Sequence, residues 1–320
     1  MSCLLCRNMT ISVVTPTYYR HAEVPGLLKA LAQQTLLPLE VILVDGAPVA
    51  EKRTEDYLAA HAVDFPFAIR YIRHSGGTAI QRNRGIDEAK GDIIQFFDDD
   101  VRPDPGYLQA VADVFANDST GRLGGVAGFR RNAWFDGMST ARWRWYKRLR
   151  LLSVFEGGRY DYHNGYPINN NMVQPFTGTR AVDFMTTACS AYLRKVFGEG
   201  LRFDAFFIGF GVLEDAHLSL SAKRRGWQLL QCGHATAVEL SSPSGRTSPY
   251  IVASRTCYNY YFVFKSICGP LTAGQKWRFF RFQLFELFRA LGSMLSHPGR
   301  ASWLYFWGKG HGIVKTLVKG

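Results

Sequence analysis

A chain of 320 residues that is 47% hydrophobic and 20% charged carries enough apolar mass for a full core and too much for a disordered polymer. Its 38 Lys and Arg against 26 Asp and Glu leave a net charge of +12, which points to an anionic partner: a nucleotide diphosphate, a membrane surface or nucleic acid. No run of eighteen uncharged apolar residues is present, which argues against a bilayer-spanning helix; the apolar stretch before Arg7 is too short for a secretory signal, and six cysteines, dispersed except for Cys3 and Cys6, fit a reducing cytosol.

Residues 11–14 (Ile-Ser-Val-Val) read as a buried strand ending in Thr15-Pro16-Thr17, after which Leu27, Leu28 and Leu31 recur at helical spacing. Residues 41–44 (Val-Ile-Leu-Val) repeat the pattern, closing on Asp45-Gly46 before a helix through Tyr57 and Leu58. A third strand over 67–72 leads to a helix over 79–89 and then to an apolar run, Gly91 to Phe97, that ends on Asp98-Asp99-Asp100. Strands alternating with helices of this length predict an α/β fold, a Rossmann-like, mostly parallel sheet with helices on both faces. Ligands of such sheets bind outside the carboxyl ends of the strands. Thr15, Asp45 and Asp98 each fall at one of those ends.

Three adjacent carboxylates at the end of a buried strand repel one another unless a cation neutralises them, and an all-oxygen set suits a hard divalent ion. The competing reading is a solvated acidic turn, helped by Pro103 and Pro105. A helix and a strand over 123–128 follow, and between 134 and 180 regularity falls away. There Trp143, Trp145 and Tyr146 interleave with Arg142, Arg144, Lys147, Arg148 and Arg150, a pattern of either an amphipathic helix with solvated cations or a membrane or acceptor contact. Residues 206–213 deliver the chain to Glu214-Asp215, the start of a helix ending near Gly226. A carboxylate in a first helical turn is favoured as the anion by the helix dipole, the state a proton acceptor needs; an ordinary acidic helix start is the alternative. Residues 276–295 mix cations with Trp277, Phe279, Phe280, Phe282, Phe285 and Phe288. If this stretch meets a membrane, Phe279, Phe282 and Phe285 are the side chains expected to enter it.

Five segments, Ser12 to Tyr18, Val41 to Gly46, Arg82 to Ile86, Gly91 to Asp100 and Glu214-Asp215, stand in the order and spacing of glycosyltransferase family 2, and the chain resembles an inverting enzyme of the GT-A fold. That resemblance implies a nucleotide-sugar half over residues 10–130, an acceptor half with the catalytic base over 131–250, and a helical C-terminal region over 251–320. It implies that Thr15, Pro16 and Thr17 line the nucleotide pocket, that Asp45 accepts a hydrogen bond from the base, usually uracil, and that Arg82 and Asn83 lie near the nucleotide and diphosphate. Asp98 and Asp100 match the Asp-x-Asp motif, Asp98 near the ribose and Asp100 on a Mn²⁺ or Mg²⁺ ion, with Asp99 between them. Asp98 joins Asp100 as an expected ligand. Glu239 stands near where many relatives place a metal-binding histidine, with His234 five residues upstream as the other candidate. Asp215 matches the general base and Glu214 its neighbour, while Ser244, Arg246 and Thr247 fall in a loop placed to close over the diphosphate. The implied partners are a nucleotide sugar, a UDP-sugar foremost, and a glycan or lipid-linked acceptor, at the cytoplasmic side with peripheral membrane contact as a further expectation.

Other readings fit less well. A nucleotidyltransferase would carry a Gly-rich basic loop after the first strand, which Thr15-Pro16-Thr17-Tyr18-Tyr19 lacks. Gly209-Phe210-Gly211 lacks the third glycine of a dinucleotide fingerprint, no recognition motif for nucleic acid is present, and Cys3-Leu4-Leu5-Cys6 has no second pair to complete a zinc site.

Overall fold

The computed structural model describes residues 9–207, 209, 211–240 and 247–319; Cys3, Cys6, Ser244 and Arg246 lie outside the described residues. In chain order the elements are β1 (Ile11–Thr17), α1 (Val24–Ala32), β2 (Glu40–Asp45), α2 (Arg53–His61), β3 (Ala68–Arg73), α3 (Thr78–Glu88), β4 (Ile93–Phe97), β5 (Val101–Pro103), α4 (Tyr107–Ala116) and β6 (Leu123–Arg130). There follow α5 (Ala141–Arg148), β7 (Tyr160–Asp161), β8 (Tyr166–Pro167), β9 (Thr179–Ala181), β10 (Cys189–Leu193), α6 (Arg194–Gly198), α7 (Glu214–Arg224), β11 (Gln228–Glu239), α8 (Pro249–Cys268), α9 (Ala273–Ser296) and α10 (Arg300–Lys319).

Among the described residues nine strands form one sheet in the order β3-β2-β1-β4-β10-β6-β11-β5, with β9 also paired to β11. The β1, β2 and β4 strands are buried along their whole length, as continuous apolar runs covered on both faces must be. They pair in parallel with one another, as expected. The expectation did not include β10, which enters antiparallel between β4 and β6 and joins the segments before and after residue 130 into one sheet. Its sequence, Cys-Ser-Ala-Tyr-Leu, is short and rich in small residues, so nothing local marks it as a central strand.

Pairing of β1 with β4 stops at Val14–Phe96. Pro16, which has no N–H to give a ladder, lies just beyond that point. Thr15 to Thr17, still paired with β2, and Asp98 to Asp100 therefore lie beyond the β1–β4 pairing, at the carboxyl ends of the strands.

The C-terminal helices form a second layer. Phe262 of α8 stacks on Phe206 with ring centroids 3.7 Å apart, and His217 Nε2 meets Ser266 Oγ at 3.0 Å, fastening α7 to α8. Phe279 packs on Tyr261 and Phe264 of α8, and Phe282 on Tyr146 of α5 and on Tyr166. Phe279 and Phe282 are thus core residues, and Phe285 leans on Tyr146, which corrects the expectation that these three side chains face a membrane. Among the described residues no helix is long and apolar enough to cross a membrane.

Candidate active site

The crevice at the strand ends is held by hydrogen bonds that reach across the sequence. Thr17 Oγ1 donates to Asp99 Oδ2 at 2.8 Å, and Arg20 Nη1 reaches both Asp99 and Asp100 at 2.9 Å. Gln81 donates to the carbonyls of Thr17 and Val44, tying the ends of β1 and β2 to α3. Asp45 is buried, one oxygen accepting from the Ala47 N–H and the other from the Tyr71 hydroxyl, each at 2.8 Å. Thr15 and Pro16 are buried inside β1, and the Thr15 hydroxyl has no partner.

Arg82 is the hinge of the arrangement. Projecting from α3 with only 3% of its side chain exposed, it donates to Asp98 Oδ1 at 2.8 Å and to Glu214 Oε1 at 3.0 Å. Burial opposes its charge, but the Asp98 and Glu214 carboxylates outweigh that and raise its pKa, so it stays a cation. Asn83 behaves otherwise than expected of a diphosphate neighbour. Both ends of its amide are engaged by the Phe203 backbone, which fixes the approach to the 206–213 segment.

That segment crosses the start of α3, where Gly77 and Gly209 pair as an isolated bridge. Gly77 has φ +95°, and a Cβ there would sit 2.2 Å from the Gly209 carbonyl oxygen, so only glycine lets the two backbones meet. Leu213 then takes the left-handed conformation, φ 72°, immediately before α7. Glu214 is delivered to Arg82 and to the Thr78 hydroxyl, 3.1 Å away.

Asp215 lies on the wall of a cavity of about 510 Å³ whose other walls include Trp143, Tyr166, Tyr260, Asn169 and Thr186. Burial, reinforced by the neighbouring Glu214 charge, pushes its carboxyl up to about 7, against the Ala216 N–H that donates to it at 2.7 Å. Burial thus works against the helix terminus, which favours the anion. Asp98 is close enough to add to the same rise. Asp99 is likewise pushed up to about 7, mainly by burial.

Glu239 pairs with Arg130 at the end of β6 and stands in register with Val101. Its charge is felt at Asp100, whose carboxyl is raised by burial and then by Asp98. His234 faces away, in a groove of about 540 Å³ beside Asp113 and Asn117, where Nε2 accepts from the Gly178 N–H. Among the described residues no three His, Cys, Asp or Glu side chains converge to hold a metal. Asp98 and Asp100 form an oxygen-only pair in which one oxygen of each is met by a guanidinium, Arg82 and Arg20 respectively. This donor chemistry fits a hard divalent ion that takes its other ligands from a diphosphate rather than from a protein cage.

Arg20, Thr78, Tyr71 and Arg130 were not singled out from the sequence. Arg20 follows β1 directly and Arg130 ends β6, but which carboxylate each would meet depends on contacts 79 to 109 residues away.

An α/β sheet with polar groups gathered at the carboxyl ends of β1, β2 and β4, and a helical layer bringing Glu214-Asp215 over them, is the GT-A arrangement. A mannosyltransferase from Pyrobaculum calidifontis, solved with GDP-Man and Mn²⁺, superposes with TM-score 0.55 at 14% identity, covering 98% of this chain and 89% of its own. S. aureus TarS 1–349 with UDP-GlcNAc gives TM-score 0.55 at 16% identity, covering 96% and 81%. Residues 12–201 match the family described as glycosyl transferase family 2, and the chain belongs to that family. Glu214-Asp215 lies beyond the matched residues. Among curated relatives, the uncharacterized glycosyltransferase YwdF of Bacillus subtilis is 34% identical over 106 residues, 32% of this chain and 37% of its own. The glucosyl-dolichyl phosphate glucuronosyltransferase of Haloferax volcanii is 28% identical over 116 residues, 34% and 35% of the two chains. The chain spans about a third of the length of the curated relatives it matches.

Proposed function

We propose that the protein is an inverting glycosyltransferase that moves a sugar from a nucleotide diphosphate, a UDP-sugar foremost, to a hydroxyl of a glycan or lipid-linked acceptor. The observation that carries this reading is the buried Arg82, which ties the acid triplet on one side of the crevice to Glu214-Asp215 on the other. Asp45, Thr15, Pro16 and Thr17 form the nucleotide end, and the cavity beside Asp215 takes the acceptor. Its flat aromatic walls, Trp143, Tyr166 and Tyr260, suit a sugar ring, and Asn169 and Thr186 supply polar contacts. The Haloferax relative is named for glucosyl-dolichyl phosphate, a lipid-linked sugar, which favours an acceptor of that kind.

A divalent ion held by Asp98 and Asp100 would offset the charge that grows on the departing diphosphate. Arg82 holds Glu214 away from the reacting hydroxyl and keeps the crevice from accumulating uncompensated negative charge. Asp215 takes the proton of the acceptor hydroxyl as that oxygen attacks the anomeric carbon, and a single displacement inverts the centre. Its raised carboxyl makes it a stronger base, once ionised, than an exposed aspartate.

Melting temperature measured against a panel of nucleotide sugars, with and without Mn²⁺, tests the reading, followed by NMR of the product's anomeric configuration. A Mn²⁺-dependent rise with one donor, turnover to the inverted anomer, and loss of turnover but not of the rise in Asp215→Asn are expected. Retained configuration or undiminished turnover of Asp215→Asn would overturn it.

A further inference from the structure

The solvent side of the C-terminal hairpin is apolar where an ordinary surface helix is polar. On α9, Trp277, Leu284, Phe288 and Leu295 are 67%, 49%, 63% and 70% exposed, and their spacing of seven, four and seven residues puts them on one line. On α10, Trp303, Trp307, Val314 and Val318 form a second exposed stripe at spacings of four, seven and four. The opposite faces are already satisfied, by Phe279 and Phe282 on α9 and by Gly308, Gly312 and Thr316 on α10. Single exposed apolar residues are ordinary, whereas two continuous stripes on neighbouring helices mark a contact surface.

The charge around these stripes selects the partner. Residues 251–319 hold ten Lys and Arg and one acid, Glu286, which is buried between Arg142, Arg289 and Tyr146. One turn from the α9 stripe, a cavity of about 530 Å³ is lined by Arg150, His163, Arg278 and Arg281, with Asp161 its one carboxylate. Asp161 is already engaged by the Ser153 hydroxyl and by the Ser153 and His163 N–H groups. The Nε–H of Arg281 is buried with no acceptor, and Arg150 is held at φ 50°. Arg281 also gives Nη2 to the Arg150 carbonyl and Arg278 Nη1 lies 3.1 Å from His163 Nδ1, but among the described residues none of the three arginines has a carboxylate partner, and that surplus of positive charge suits a phosphate.

We propose that α9 and α10 lie in the plane of an anionic lipid bilayer, the two stripes entering the acyl boundary while the Arg150–Arg278–Arg281 cleft takes a lipid headgroup phosphate. Trp277 at the start of α9 and Trp303 and Trp307 on α10 suit the headgroup level; of the cations, Arg278 and Arg281 lie on α9 beside its stripe, whereas Lys309 is buried and Arg289 is paired with Glu286. The buried inner face of α9 also packs on Tyr166, a wall of the cavity beside Asp215. Docking therefore brings that cavity close to the lipid surface without any contribution from the donor crevice.

The test is sedimentation of the full chain with phosphatidylglycerol-containing vesicles and with phosphatidylcholine vesicles, in excess inorganic phosphate. Pelleting with the anionic vesicles is expected. Trp277→Ser/Leu284→Ser/Phe288→Ser should abolish it at unchanged melting temperature, since all three side chains are exposed. Arg278→Gln/Arg281→Gln should weaken partitioning about 30-fold, the loss expected for two cations at an anionic surface. Wild-type protein left in the supernatant overturns the proposal, as does undiminished pelleting of the triple variant. So does a dimer that the triple variant dissociates while vesicles are ignored, which would make the stripes a contact between copies of the chain. Stabilisation by inorganic phosphate that Arg278→Gln/Arg281→Gln cancels, without vesicle binding, would assign the cleft to a soluble anion and overturn it too.

Discussion

Replacing Arg82 with methionine keeps most of the side-chain volume and removes the cation between Asp98 and Glu214. The two halves of the loss differ. Asp98 is 36% exposed, so water screens its pairing, worth no more than about 1 kcal/mol. Glu214 is 9% exposed, and without Arg82 it keeps the Thr78 hydroxyl as its hydrogen-bond donor among the described residues. A buried carboxylate stripped of its partner costs about 3–5 kcal/mol, so Arg82→Met should lose roughly that amount. Adding Glu214→Gln removes the orphaned charge, and the double variant should lie only about 1–2 kcal/mol below wild type, less destabilised than the single one. Urea unfolding followed by circular dichroism, compared at constant m-value, measures both. A single variant within about 1 kcal/mol of wild type, or a double variant less stable than the single, would refute the view that Arg82 is held by a buried charge network.

With the Asp215 carboxyl pushed up to about 7, the ionised base is lost as pH falls, so kcat should drop about tenfold per unit below neutrality and level off above it; a flat profile from acid to weakly alkaline pH contradicts the assignment. The linked stability effect runs the other way. The folded state holds this proton more tightly than the unfolded chain, whose aspartates titrate near ~3.9, so the group favours folding most at acid pH and that contribution is lost as pH rises from about 4 to about 7. Gly77→Ala forces a Cβ against the Gly209 backbone and should cost about 2–4 kcal/mol together with turnover, while Gly178→Ala, also at positive φ but with open space around it, should cost only about 1 kcal/mol; equal losses in thermal unfolding would remove the claim that backbone contact is the cause. Asp100→Ala should abolish the Mn²⁺-dependent part of donor binding in calorimetry, whereas Glu239→Gln, whose carboxylate is paired with Arg130, should keep most of it; the reverse ranking would return Glu239 to the metal.

The parts of this protein that repeat at short range were legible in its sequence. Apolar runs ending on Thr15, Asp45 and Asp98 declared the parallel strands and the edge at which they end, because a strand covered on both faces must be apolar along its length. The acid triplet and Glu214-Asp215 were visible for the same reason, as charges placed where a chain bent on burial has no use for them. Tertiary structure alone decided how those charges are managed. Arg82 meets partners 16 and 132 residues away, Arg20 one 79 residues away, and Asn83 clamps a backbone 120 residues on. Tertiary contacts also determined that Glu239 answers to Arg130 and that Phe279 and Phe282 face inward while Trp277 and Phe288 face out. Helical periodicity gives the angle between two side chains, but which side of a doubly apolar helix is buried depends on what packs against it. A carboxylate's pKa depends in the same way on its surroundings, and Asp215 is half-buried among side chains far from it in sequence, Trp143, Tyr166 and Tyr260 among them.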